Sequence, residues 1–315
     1  MVEIIAEFCQ NHNGDFEILK DMIYAAKESG ATHGKIQTIF SKDLTNRPQF
    51  ENGLVKNNKI ITIKRPFYDE YERLKKLDLS YAQQQEFLVL CKKAGLKPIT
   101  TAFTIKSVKK LSQIGFREIK VASYDCSSYP LLEEIKKYFN RIIISTGATY
   151  DDEIDKTYEI LKNHNFDFLH CVTIYPTPLE KMHLSRMEYL RKYTKSVGFS
   201  EHSLVKKDGL KASKVAAWMG ANIIERHFTI LSPEQSKDGP VSITPDQLKE
   251  LSEFSNLDKE EMGKIILNEI PEYKLMLGSK IRNLTDEEIL NRDYYRGRFA
   301  DKRTDGSYRY NWEIK

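Results

Sequence analysis

Eight short apolar runs alternate with stretches of helical periodicity, and charged or hydroxyl residues gather just past the ends of the runs. Those observations predict a (β/α)8 TIM barrel with a short C-terminal extension. A doubly wound sheet is the rival, but no GxGxxG follows any run, which weighs against it.

The strand-like runs are Val2–Phe8, Gly34–Gln37, Pro98–Ala102, Glu118–Ala122, Arg141–Ile144, Phe166–His170, Ser196–Phe199 and Asn222–Glu225. Between them, Phe16–Ser29 shows the i, i+3, i+4, i+7 apolar spacing of an amphipathic helix. Helices are likewise expected over Tyr81–Ala94, Leu131–Phe139, Asp151–Asn163 and 207–219. Two segments break the rhythm. Residues 39–80 form an insertion of roughly 40 residues, far beyond an ordinary βα loop. On a barrel it falls on the C-terminal face, as a lid or as a structural flap or oligomer contact. The barrel with this insertion is assigned to residues 1–256. Residues 257–315 form an extension too short and polar for a second core, with a helix near Thr285–Leu290.

Composition sets the outer limits. Of 315 residues, 40% are hydrophobic and 30% charged, as in a globular protein with a sizeable core. A net charge of +4, from 49 basic and 45 acidic residues, argues against nucleic acid as a partner. Cys9, Cys91, Cys126 and Cys171 show no CxxC spacing and read as reduced thiols of a cytoplasmic protein. The first residues combine no basic leader with an acid inside the apolar run, so no secretory signal is expected. No run of 18 apolar residues offers a membrane span.

Two histidines in matching positions are the most informative feature. His202 closes Gly198-Phe199-Ser200-Glu201-His202, and His227 closes Ile223-Ile224-Glu225-Arg226-His227. Each follows a strand-like run, each has a carboxylate one or two residues upstream, and one helical segment separates them. A right-handed crossover places both strand ends on one side, about 5 Å apart. Two imidazoles so placed can share a divalent metal.

The remaining strand ends carry Glu7, Lys35, Gln37, Thr101, Lys120, Ser123, Ser145, Tyr175 and Ser200. Two lysines, several hydroxyls and a metal at one mouth suit a phosphate-carboxylate anion together with a polyol or sugar. A metal-dependent sugar isomerase or aldolase on the same barrel, and a non-catalytic barrel acting as a binding subunit, remain open.

The motifs Ile5-Ala6-Glu7 with Asn11-His12-Asn13-Gly14, Lys35-Ile36-Gln37-Thr38, Lys120-Val121-Ala122-Ser123, Tyr175-Pro176-Thr177-Pro178 and the two histidine blocks span the barrel in order. Together they resemble the sialic acid synthase family (N-acetylneuraminate, legionaminate and pseudaminate synthases). The resemblance implies condensation of phosphoenolpyruvate with an amino-sugar aldehyde. It implies His202 and His227 as ligands of manganese or magnesium. It implies Lys35, Thr101, Lys120, Ser123, Ser145 and Ser200 around phosphoenolpyruvate. Glu7, Gln37, Tyr175 and Asp238 would then face the sugar or the reacting carbons, with Glu7 moving a proton. A homodimer is also implied.

The chain departs from the family pattern at several points. It has Glu201 for the usual Asp, Arg226 for Lys, Tyr124-Asp125 for Gly-Glu, Thr104 for Asp and Val172 for a small polar residue. Family members commonly end in an antifreeze-like domain that reaches a partner's site with an arginine. Here the sequence stops at Lys315, and no complete domain of that kind is expected. The Arg- and Tyr-rich tail, with Arg292, Tyr294, Tyr295, Arg296, Arg298, Tyr308, Arg309 and Tyr310, is either a frayed or merely structural terminus or a segment that packs on the barrel or a partner barrel and supplies sugar contacts.

Overall fold

In the computed structural model, which describes residues 2–314, eight parallel strands close into a barrel in sequence order. They are β1 (Glu3–Glu7), β2 (His33–Thr38), β3 (Lys97–Ala102), β4 (Glu118–Val121), β5 (Arg141–Ser145), β6 (Phe166–Cys171), β7 (Val197–Glu201) and β8 (Ile223–His227). β8 returns to pair with β1, Glu7 standing opposite His227.

Alternation along each strand sorts the interior into layers. At the base, Arg141 reaches Asp167 and Glu3 at 2.6 Å each and Glu118 at 3.4 Å. Two residues further along each strand, Ile5, Ile99, Ile143, Leu169 and Ile223 form an apolar layer of their own. Gly198 makes room for it. A Cβ there would stand 2.4 Å from the Ile223 carbonyl oxygen and 2.5 Å from Leu169 Cδ2. One step higher come Glu7, Lys35, Thr101, Lys120, Ser145, Cys171, Ser200 and Glu225, and polar chemistry begins. The outer faces of the strands, Ile4, Ile36, Val121, Ile144, Phe168 and Ile224 among them, pack on the surrounding helices.

The helices follow the periodicity with some changes. Phe16–Glu28 starts at Asp15, whose carboxylate accepts from Glu17 N–H; Tyr81–Ala94 starts at a Ser80/Gln83 capping box. The expected Leu131–Phe139 helix is instead Tyr129–Ile135. The single helix expected over 207–219 is broken into Val205–Asp208 and Lys211–Trp218, because Gly209 turns the chain with φ 56°. Residues 39–80 hold more order than a loop: a helix Gln49–Asn52, a hairpin Leu54–Lys56 with Lys59–Thr62, and a helix Phe67–Lys75.

After β8, Pro245–Ser255, Lys259–Glu269 and Tyr273–Leu277 are helical, and Met262, Ile266, Ile270 and Met276 join the main core. The helix expected near Thr285–Leu290 extends over Asp286–Tyr295, with Thr285 and Glu288 as its capping box. Among the described residues, no helix is long and apolar enough to cross a membrane.

Candidate active site

All twelve residues singled out as candidates line one cavity of about 440 Å³ at the C-terminal end of the barrel. Its floor is electrostatic. Lys35 pairs with Glu7 and donates to Thr101 Oγ1 at 3.2 Å; Lys120 donates to Ser145 Oγ at 2.6 Å. Glu225 lies between the two ammonium groups, 4.0 Å from Lys35 and 3.8 Å from Lys120, and accepts from Ser200 Oγ at 3.1 Å. Burial alone would raise the pKa of Glu225, but Lys120 and Lys35 outweigh it and hold the carboxyl low. Burial lowers the pKa of Lys35 to about 7, with Glu225 opposing and Lys120 adding to the fall. Ser123 Oγ accepts from Gly147 N–H at 3.2 Å, and a Cβ on Gly147 would come within 2.9 Å of that oxygen. The loop after β5 therefore needs glycine to lie this close.

The two histidines stand side by side, ring centroids 5.2 Å apart. Tyr175 meets His202 edge-on at 4.7 Å. Burial, then the neighbouring cations and the second imidazole, push His202 well below its ordinary pKa. Burial lowers His227 as well, although Asp238 opposes the shift. Burial therefore favours the neutral form of both rings, the form that binds metal. Cys9, His227 and Asp238 each offer a ligand atom within 4.8 Å of the others; His202 is not part of that group.

Several lining residues were not among the candidates. Glu225 could have been found by alternation, since it lies two residues before His227 on the same strand face. Cys9 follows Glu7 by the same spacing. Arg65 and Lys237 come from the insertion and the loop after β8, and Phe299 from the tail, beside Tyr295 and Arg298, which had been expected to supply sugar contacts. Arg298 pairs with Glu70 of the insertion, and Tyr295 stacks on Tyr124 with centroids 5.0 Å apart and planes at 17°. No local pattern marks such long-range contacts.

In comparison with known proteins, residues 22–266 match the NeuB family. The chain belongs to the NeuB family. It is 32% identical over 258 residues to the N,N'-diacetyllegionaminic acid synthase of Campylobacter jejuni, covering 79% of this chain and 73% of that one. It is 30% identical over 265 residues to the human N-acetylneuraminate-9-phosphate synthase, covering 82% of this chain and 71% of the relative. The crystal structure of the N-acetylneuraminic acid synthetase of Leptospira borgpetersenii superposes with a TM-score of 0.70 at 26% identity, over 93% of this chain and 90% of that one.

Two departures from the NeuB family pattern turn out to be partners. Glu201 and Arg226 form an ion pair, both side chains fully buried. Neither lines the cavity. The Tyr124-Asp125 departure, by contrast, lies on the cavity wall, and both residues are engaged by the tail. Tyr124 stacks on Tyr295, and Asp125 accepts from Asn311 Nδ2 at 3.0 Å.

Proposed function

We propose that this chain condenses phosphoenolpyruvate with an amino-sugar aldehyde, of the N-acetylmannosamine or 2,4-diacetamido-hexose type, giving a nonulosonic acid and phosphate. The observation that carries this reading is the pair of buried lysines, Lys35 and Lys120, on the floor of a cavity whose shoulder holds two imidazoles. Glu7 and Glu225 already offset the two lysines, and a trianionic enol phosphate, unlike a neutral sugar, gives both further charged partners. The Campylobacter and human relatives, an N,N'-diacetyllegionaminic acid synthase and an N-acetylneuraminate-9-phosphate synthase, support the same class.

The imidazole and carboxylate donors fit a divalent cation such as manganese or magnesium. His227 Nδ1 is buried without a hydrogen-bond partner, and the carboxylate of Asp238 is close by. His202 and His227 would hold the ion, which when bound supplies Lewis-acid polarisation of the aldehyde oxygen.

The chain's own groups do the rest. Lys35, Lys120, Thr101, Ser123, Ser145 and Ser200 bind the carboxylate and phosphate oxygens and stabilise charge as it develops there. Arrival of the anion gives both ammonium groups a partner besides Glu7 and Glu225. Tyr175 and Gln37 orient the aldose so that C3 of the enol faces its aldehyde carbon. The C2=C3 electron pair forms the new carbon–carbon bond as the aldehyde π pair moves onto its oxygen, which takes up a proton; water adds at C2, and the C2–O bond to phosphate breaks as the C2 hydroxyl passes its proton to the departing phosphate. Glu7, fixed by Lys35 and by the Cys9 N–H at 2.6 Å, takes the proton of the attacking water.

The test is phosphate release from phosphoenolpyruvate with a panel of hexosamines, products read by mass. Release that depends on both an aldose and a divalent metal is expected. Aldose turnover without phosphoenolpyruvate would identify an isomerase, and no turnover with any aldose a binding subunit.

A further inference from the structure

Cys9 holds a position that a side chain reaches only against its own backbone preference. Its φ is 46°, in the left-handed region where non-glycine residues are uncommon and cluster at functional sites. From there its thiol lines the cavity and lies 2.9 Å from Asp238 Oδ2. The sulfur, a His227 ring nitrogen and an Asp238 oxygen all lie within 4.8 Å of one another. Ligands about 2.0–2.3 Å from a common ion are spaced within that limit. Independently, His227 Nδ1 is buried and makes no hydrogen bond.

We infer that Cys9 is a metal ligand: its thiolate, His227 and Asp238 bind a divalent ion at the end of β1. This rests on the reading of the cavity as metal-dependent, but on no particular sugar. A thiolate changes the metal the site selects. Sulfur disfavours magnesium and favours borderline ions such as zinc, cobalt or iron(II). Binding displaces the thiol proton to solvent, so metal uptake releases one proton more than an imidazole–carboxylate site would. The other three cysteines are buried, and only Cys171 also lines the cavity, its sulfur 3.9 Å from His202 Nδ1. It is the natural control.

The experiment is titration of the chelator-stripped full chain with cobalt(II) chloride, without substrates, followed by absorption. A thiolate ligand gives an intense near-ultraviolet sulfur-to-cobalt charge-transfer band, absent from sites with only nitrogen and oxygen donors. The band is expected in the wild type and in Cys171→Ser, and lost in Cys9→Ser. Cys9→Gly, which relieves the left-handed backbone and so keeps the fold, is expected to lose the band and bind cobalt at least tenfold more weakly. Its magnesium affinity is expected to stay within about twofold. No cobalt binding, no charge-transfer band, or a band lost in Cys171→Ser but kept in Cys9→Gly overturns the assignment. Aldose-dependent phosphate release, measured separately, tests the proposed function, so the two can fail independently.

Discussion

Glu201 and Arg226 are register partners on β7 and β8 and also ion-pair partners on the outer wall of the barrel. Ser203 and Ser213 hydroxyls donate to the same carboxylate, so the pair is satisfied from several sides. Arg226→Met leaves Glu201 buried without its cation and is expected to cost about 3–5 kcal/mol. Denaturant titration should show that loss. The double variant Glu201→Asp, Arg226→Lys should lose less than the sum of its single changes. KM values should stay at wild-type levels in the double variant, because neither side chain faces the cavity.

The floor of the cavity makes the second prediction. Lys35→Met and Lys120→Met each remove a charge-assisted contact worth roughly 1.5–3 kcal/mol. Phosphoenolpyruvate affinity measured by calorimetry should fall at least about tenfold in each. Unchanged binding in both would place the lysines outside the anion site.

Metal supply gives the third. His202→Ala should lower manganese content after dialysis and remove turnover, while unfolding stays cooperative. Full metal-dependent activity in that variant would exclude His202 as a ligand.

The tail gives the fourth. Tyr295→Ala removes the stack on Tyr124 at the mouth, some distance from the lysine floor. A rise of about tenfold in aldose KM is expected, with phosphoenolpyruvate binding preserved. Cutting the chain after Leu290 should do the same more severely, since it also removes Arg298 from Glu70.

Acid stability gives the fifth. Burial lowers the pKa of His170 from 6.5 to about 3, although its ring is bonded to the Met182 carbonyl at 2.7 Å. The unfolded chain takes up a proton as pH falls past 6.5, and the native ring does not until about 3. Stability is therefore lost progressively across that window. His170→Gln, which keeps an N–H for the carbonyl, should flatten the dependence of unfolding midpoint on pH between those limits.

How far the sequence could be read varies from place to place. Strands such as Arg141–Ser145 and Phe166–Cys171 were legible because central parallel strands are buried on both faces and read as continuous apolar runs. The site was legible wherever a polar residue ended such a run, as at Lys120 or His202. Glu225 was passed over beside its more conspicuous neighbour His227. The hairpin of the insertion was hidden because Leu54, Val55, Ile60 and Ile61 are exposed, leaving no polar alternation to detect. Arg298 was recognised as tail composition, but not its pairing with Glu70, 228 residues away. Contacts of that separation depend on the closed barrel rather than on local pattern.

The isoleucine-rich layer beneath the lysines has one more consequence. It fills the barrel interior directly beneath the polar floor, so reactants reach the lysines from the C-terminal mouth. Lys35 and Lys120 lie at the floor, 2% and 3% exposed, whereas Tyr175 at the mouth is 43% exposed. Two reactants sharing that entrance must queue. Whichever binds at the lysines has to arrive before the other blocks its way, and phosphate formed there cannot leave past an occupied mouth. Initial-rate kinetics should therefore show a compulsory order, phosphoenolpyruvate entering first and phosphate departing last.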